Sequence, residues 1–191
     1  MLKECYFREL LEDNPIIAAV KDDKSLNEVL KTDSKIIFLL YGDILSIRDM
    51  TEKVLSKGKI PFIHLDMVTG FAPNPVVIDY IVKNFNRECG VITTKVNIVK
   101  KALESNVKVV QRFFLVDSMS IESTIESLKK LRPDAIEIMP GIMPKVIKRI
   151  SEETRIPIIA GGLIDTKEEV MSVLKNGGLS VSTTNAEIWK M

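Results

Sequence analysis

Ile156-Pro157-Ile158-Ile159-Ala160-Gly161-Gly162 and, after one short helical pattern, Leu179-Ser180-Val181-Ser182-Thr183-Thr184-Asn185 decide how this chain reads. Each begins as an apolar run of strand length and ends in residues that leave backbone amides bare. Gly161 and Gly162 have no side chain to hold a ligand away from their N–H groups. Thr183, Thr184 and Asn185 add hydroxyls and amides where a short final helix, Ala186 to Trp189, is expected to begin. Free amides at a helix start favour an anion, and the loops after the last two strands of a (β/α)8 barrel commonly hold a phosphate. These two strand ends point to a small phosphorylated ligand.

The same unit repeats back towards the N-terminus. Further strands are expected at Ile16–Val20, Ile36–Tyr41, Pro61–Met67, Gly90–Lys95, Val107–Leu115 and Ala135–Met139, before Ile156–Ala160 and Leu179–Thr183. Amphipathic helical patterns lie between them. Ser25-x-x-Glu28 and Thr166-x-x-Glu169 read as capping boxes, and Gly58 and Gly177 sit where helices should stop. Eight strands with intervening helices and no Pro/Gly/Ser linker describe one domain, residues 1–191, with an all-parallel sheet. A doubly wound open sheet is the competitor. Eight repeats ending in two phosphate-type strand ends favour a compact (β/α)8 TIM-type barrel. At 191 residues the chain is short for a fold that typically takes ~250, so loops must be minimal and some helices reduced. The segment after Phe71, with Pro73 and Pro75, and the last helix are the expected places.

Composition narrows the class. A formal net charge of +1 gives no bulk attraction to nucleic acid or membrane. Cys5 and Cys89 have no CxxC spacing and read as reduced thiols of a cytoplasmic protein. Met1-Leu2-Lys3-Glu4 mixes charges ahead of any apolar run, unlike a signal peptide, and no run is long enough to span a bilayer. The pattern calls for no metal and no cofactor.

Polar residues interrupt the strands near their C-terminal ends, and chemistry is expected there. Phe62, His64 and Asp66 share a face by the period of two. Thr93 and Lys95 fall together in strand four, Gln111 or Arg112 faces inward in strand five according to register, and strand six offers Glu137. With these at the top of a barrel, Asp66, Lys95 and Glu137 are expected to meet over one cavity. Buried charges are costly unless paired, so opposite charges at matching depth suggest a polar site suited to a polyol phosphate.

Structural roles compete for several of these residues. His64, one layer below Asp66, reads as a hydrogen-bonded core histidine rather than a catalyst. Lys95 has the strand-end position of a Schiff-base lysine but no visible acid–base partners. Asp43 and Asp117 precede helices and read as caps, with Asp165 sharing that role with Thr166. Cys89 reads as a buried thiol, and Trp189 as packing the last helix on the barrel. Arg112 is equally a ligand group or a charged strand edge. Lys145, Lys148 and Arg149, at helical i, i+3, i+4 spacing, ordinarily form a solvated face.

At these residues the chain resembles the glycerol-3-phosphate-responsive antiterminators. The resemblance is carried by His64-Leu65-Asp66-Met67-Val68-Thr69-Gly70, Gly90-Val91-Ile92-Thr93-Thr94-Lys95 and Gln111-Arg112-Phe113-Phe114-Leu115-Val116-Asp117-Ser118. It continues through Arg132-Pro133-Asp134-Ala135-Ile136-Glu137-Ile138-Met139-Pro140-Gly141-Ile142-Met143-Pro144 and Ile159-Ala160-Gly161-Gly162-Leu163-Ile164. It closes on Ser180-Val181-Ser182-Thr183-Thr184-Asn185 and Glu187-Ile188-Trp189.

The resemblance implies a cytoplasmic regulator of glycerol uptake and catabolism that takes glycerol 3-phosphate as effector and acts on leader mRNA, letting transcription pass a terminator. It implies phosphate binding by Gly161, Gly162, Thr183 and Thr184, and polyol recognition by Asp66, Lys95, Arg112 and Glu137. No motif assigns an RNA face: there is no aromatic RNP sheet and no GXXG loop. Lys145, Lys148 and Arg149 are the cluster singled out for RNA. A barrel enzyme of aldolase or isomerase type, acting on a small sugar or polyol phosphate, uses the same ingredients and stays open. So do a sensor that binds another protein and a homo-oligomer.

Overall fold

Strands buried on both faces explain why the apolar runs are nearly continuous instead of alternating. The computed structural model describes residues 4–191, with side chains from Phe7 onwards. Met1-Leu2-Lys3 and the Cys5 side chain, both used in the sequence reading, lie outside the described residues.

The strands are β1 (Ile16–Val20), β2 (Ile36–Leu39), β3 (Ile60–His64), β4 (Gly90–Thr93), β5 (Val109–Phe114), β6 (Ala135–Met139), β7 (Ile158–Gly161) and β8 (Ser180–Thr183). All pair in parallel in chain order, and β1 pairs with β8 through Ile17 opposite Ser182, which closes the barrel. The helices are α1 (Glu4–Asp13), α2 (Asp23–Val29), α3 (Ile47–Leu55), α4 (Val76–Phe85), α5 (Val96–Glu104), α6 (Ser118–Lys130), α7 (Pro144–Thr154) and α8 (Lys167–Lys175). This is a (β/α)8 barrel.

Outward strand residues pack on the helices. Ile136, Ile138, Ile158 and Val181, for example, meet Ile125, Leu128, Ile147, Ile150 and Val170. Inward residues form a separate cluster of Ile17, Ala19, Ile36, Phe38, Phe62, Ile92, Val110, Ala135 and Ile159. Phe7 and Leu11 of α1 complete that inner cluster, and the Phe7 ring stacks on Phe62 at 5.4 Å. Burying each of these two side chains is worth roughly 1.5–3 kcal/mol, so α1 acts as an apolar plug for the N-terminal end of the barrel.

The sequence reading began at Ile16 and missed this helix. Phe7 and Leu11 are correctly spaced, i and i+4, but they sit among charged residues with no cap signal. At the other end, β8 is followed by a 3-10 turn, Ile188–Lys190, in place of the expected helix from Ala186. Trp189 is buried as expected, and its indole N–H donates to the Thr183 carbonyl at 2.8 Å.

The reduced helix expected after Phe71 is absent. There, α4 has 10 residues, and the shortest helix is α2 with 7. The Thr166–Glu169 capping box forms as read, whereas the first box shifts by one turn. Asp22 caps α2 and Ser25 occupies the third helical position, because the side chain that reaches back is the hydroxyl, not Glu28. Asp117 caps α6 as expected. Asp43 accepts from the amides of Leu45 and Ser46 and so caps the turn that leads into α3.

Candidate functional site

The period of two that sends Ile17, Phe38 and Phe62 into the lower barrel sends a different set into its upper half. Continuing along the inward register from the apolar cluster come His64 on β3, Arg112 on β5, Glu137 on β6, Gly161 on β7 and Ser182 on β8. The register question in β5 is thereby answered: Arg112 lies opposite Glu137 and faces inward, while Gln111 faces the helices.

Arg112 and Glu137 form a buried ion pair, 7% and 1% exposed, with Nε donating to Oε2 at 2.5 Å. The Ser182 hydroxyl donates to the other oxygen, Oε1. Both carboxylate oxygens are therefore occupied, which is what makes so deep a charge tolerable. Gly161 permits this arrangement, since a Cβ there would stand 2.5 Å from Glu137 Oε1 and 2.7 Å from Ser182 Oγ. Arg112 engages Glu137 through Nε, and its Nη1 lies 4.0 Å from the Met67 sulfur.

Above the pair is a cavity of about 120 Å³ lined by Arg112, Glu137, Ser182, Gly162, Leu163 and Thr184, among others. Gly162 and Leu163 take consecutive left-handed conformations, φ +75° and +60°. Leucine rarely adopts that region, at a cost of roughly 1–2 kcal/mol, so the turn stores strain at the cavity edge. Among the described residues, the amides of Gly162, Leu163 and Thr184 donate to no protein acceptor. The Thr183 hydroxyl is committed: it donates to Ile164 O at 2.9 Å and accepts from the Asn185 amide. The β8 end thus supplies bare amides from an irregular turn, not from the helix start the sequence suggested.

The structure brings Arg112, Glu137, Gly162, Thr183 and Thr184 around one cavity, with Gly161 directly beneath. It does not bring Asp66 or Lys95 there. Strands β3 and β4 stop at His64 and Thr93, so both residues, expected within these strands, lie in the loops that follow them. Asp66 accepts from the Thr93 hydroxyl, the Thr94 amide and the Thr94 hydroxyl, at 2.7 to 2.8 Å. Burial opposes its ionisation, but these three bonds prevail and hold the carboxyl below its usual range. Lys95 is exposed at the N-cap of α5.

His64 is buried, 2% exposed, but it is not the hydrogen-bonded histidine expected, since both ring nitrogens lack a partner. Burial, reinforced by the Arg112 charge and only partly offset by Asp66, pushes its pKa down to about 4. Burial likewise pushes the Cys89 thiol up to about 12, which leaves it inert. The Asp165 amide donates to Glu169, so Asp165 joins the α8 cap through its backbone.

Lys145, Lys148 and Arg149 lie on the exposed face of α7, and Arg149 pairs with Glu153 at 2.9 Å. Ser182 and Leu163 were missed as cavity residues. Ser180 and Ser182 at alternate positions of an otherwise apolar strand were the available signal for the first, and Leu163 had none. Among the described residues, no helix is long and apolar enough to cross a membrane, and no cluster of His, Cys, Asp and Glu could hold a metal ion.

Residues 16–189 match the family described as the glycerol-3-phosphate responsive antiterminators. An uncharacterised protein of Escherichia coli K12, YgcP, is 37% identical over 182 residues, 95% of each chain. The glycerol uptake operon antiterminator regulatory protein of Listeria monocytogenes 4b F2365 is similar in structure, with a TM-score of 0.88 and 29% identity over 93% of this chain and 96% of that one. A glycerol uptake operon antiterminator-related protein of Thermotoga maritima MSB8 gives a TM-score of 0.83 and 32% identity, over 93% and 99% of the two chains.

Proposed function

The chain belongs to the glycerol-3-phosphate responsive antiterminator family, and from that premise we propose that its upper cavity takes glycerol 3-phosphate as an effector and that the loaded protein acts on leader mRNA. One observation carries the ligand reading. A buried guanidinium and the uncommitted amides of Gly162, Leu163 and Thr184 converge on one small cavity at the ends of β5, β7 and β8. Phosphate oxygens accept from such amides and from arginine, while the hydroxyls of a polyol match Glu137 and Ser182 below.

In this reading Gly161 and Thr183 shape the cradle, Gly162, Leu163, Thr184 and Arg112 touch the phosphate, and Glu137 and Ser182 face the polyol. Asp66 orders the Thr93–Thr94 turn, and Lys95 is exposed at the start of α5. The protein works as a binder and not as a catalyst, because Arg112 and Ser182 already occupy both oxygens of Glu137 and leave it poorly placed to move a proton. RNA contact is assigned to the α7 face of Lys145, Lys148 and Arg149, whose helix starts at the cavity end of β6.

The test combines melting and RNA retention. Glycerol 3-phosphate at a hundred times its Kd adds about 2.7 kcal/mol, so the melting temperature should rise, and far less with glycerol. Equal shifts from the two compounds would defeat the phosphate reading. Glycerol 3-phosphate should also tighten binding of a terminator-containing leader RNA, with affinity falling steeply with salt. Changing Lys145, Lys148 and Arg149 to Glu should abolish RNA retention and spare the melting shift.

A further inference from the structure

Both ring nitrogens of His64 are buried without a hydrogen-bond partner, and such an orphan in a native interior calls for a reason. Among the described residues, the other buried side-chain polar atom without a partner is Gln111 Oε1, which faces the helices. His64 faces the barrel axis. Inward residues of a (β/α)8 barrel stack in layers of four, drawn from alternate strands. One layer here is Ile17, Phe62, Val110 and Ile159. Two residues further along the same strands come Ala19, His64, Arg112 and Gly161. A methyl group and a glycine fill two of these places, which leaves room at the centre, and His64 and Arg112 are the two large side chains that face it.

The cavity above the Arg112–Glu137 pair is bounded by residues from six of the eight strand sectors, Ala19 of β1 and Leu40 after β2 among them, and by none from β3 or β4. His64 stands in that remaining sector. Leu39 pairs with Ile63, so the next step along the register sets His64 beside Leu40. On its other side the charge of Arg112 acts on the ring. In the closed strand order β3 stands opposite β7, so His64 faces the Gly161–Gly162 turn from across the barrel. A ligand whose phosphate rests on the amides of Gly162, Leu163 and Thr184 points its free end towards this side. Resting on the effector reading above, we propose that His64 is a ligand residue, whose ring takes the hydroxyl farthest from the phosphate and so selects the complete three-carbon polyol.

The ring suits a hydroxyl. Burial and the Arg112 charge push its pKa down to about 4, so at neutral pH one nitrogen donates and the other accepts, as a hydroxyl also does. Glu137 and Ser182 already bond to each other, whereas the His64 nitrogens have nothing bound. The cost of leaving them unpaired falls on the free chain and is relieved only in the complex, which turns a loss of stability into affinity.

Titration calorimetry with glycerol 3-phosphate and with propane-1,2-diol 1-phosphate, which lacks only the far hydroxyl, tests this. The parent chain should bind the deoxy compound about tenfold more weakly or worse, because it leaves a buried polar group unpaired. His64→Leu should weaken glycerol 3-phosphate to the level of the deoxy compound and leave the deoxy compound's own Kd nearly unchanged. Without ligand this variant should melt no lower than the parent chain, since it removes two orphaned nitrogens. His64→Gln, which keeps a donor and an acceptor, should retain most of the preference, and it carries the test if the leucine variant does not fold. A parent chain that binds both compounds equally overturns the proposal. So does a His64→Leu chain that keeps the parent's preference, or one that loses both compounds alike because the ring supports the fold. In these cases the effector reading stands. A parent chain that binds neither compound defeats the effector reading and the role of His64 with it.

Discussion

The two ends of the barrel interior are built from the same strands and obey opposite chemistry. At the N-terminal end, Phe62 stacks on Phe7 and lies 5.7 Å from Phe38, with Ile17, Ile36 and Leu11 filling the remaining space. Two residues further along β3 the interior becomes polar, with His64, then Arg112, Glu137 and Ser182. The lower end gains stability chiefly from apolar burial, with the Ser180 hydroxyl donating to the Leu11 carbonyl at 3.0 Å. The upper end buries charge and orphaned nitrogens, which cost stability, and it has a cavity edged by free amides. If the upper cavity takes the effector as proposed, stability and binding are separated along the barrel axis, and substitutions at either end should keep them apart.

The largest effect is expected from Phe62→Ala at the lower end. It should cost about 3–5 kcal/mol in urea denaturation, since the ring is fully buried and flanked by two others. At temperatures where the variant stays folded, its Kd for glycerol 3-phosphate, by titration calorimetry, should match that of the parent chain. A large loss of affinity would show that the ends are coupled after all.

Removing Glu137 probes the upper end. Glu137→Leu strands the Arg112 guanidinium without its carboxylate and should also cost about 3–5 kcal/mol. Replacing both members, Arg112→Met with Glu137→Leu, should recover most of that loss, because an apolar pair can substitute for a buried ion pair. The double variant should nevertheless fail to bind glycerol 3-phosphate in the same titration. A double variant as unstable as the single one would mean that the pair is held for structure.

The barrel was readable from the repeat of apolar runs, because parallel strands buried on both faces leave little other reading. The boundaries of β1 and β6 were legible to the residue, while β3 and β4 were drawn too long. In β3 the apolar pattern continues into Leu65, and in β4 the alternation of Thr93 and Lys95 suggests a longer strand, but the ladder ends where Asp66 captures the Thr93–Thr94 turn. That contact is twenty-seven residues away in sequence, and no local pattern encodes it. It also explains why Asp66 and Lys95 were placed over the cavity and are not among the residues that line it. The glycine and threonine ends were legible because few other roles suit such residues after a strand. The α1 plug was not, because its two anchoring residues acquire meaning only once the barrel floor exists.

His64 marks the boundary between the two ends and predicts a pH dependence. It is the only histidine in the chain, and it titrates near 4 when folded against an ordinary 6.5. The unfolded chain therefore binds the extra proton between those values. The stability this group allows is complete above pH 6.5 and is lost as pH falls towards 4, by about 3 kcal/mol in all. His64→Phe should remove that loss, so the variant gains on the parent chain progressively from pH 6.5 to 4. Urea midpoints across this range decide it. Parallel curves would mean that His64 has partners in solution that keep its pKa near normal.

The smallest effects come from two glycines, one at each end, and they separate packing from access most directly. Gly90, at the start of β4, lies under the Phe62 ring, and an added Cβ would run into it. The ring is held by Phe7 and Phe38, so Gly90→Ala should cost about 1–3 kcal/mol while leaving the Kd for glycerol 3-phosphate alone. Gly162 has φ +75°, and its added Cβ would meet the end of the Met139 side chain at 2.9 Å. That methyl can swing aside, so the cost of Gly162→Val is chiefly the left-handed backbone, about 1–2 kcal/mol. Leu163, next in the chain, already holds φ +60° with a side chain, which shows that the turn tolerates one. The valine methyls would instead crowd the space beside the bare amides, so affinity should fall at least tenfold for this modest loss of stability. If Gly90→Ala weakens binding as much as Gly162→Val does, the upper and lower ends do not act separately. If Gly162→Val keeps the parent Kd, the amides after β7 are not where the phosphate sits.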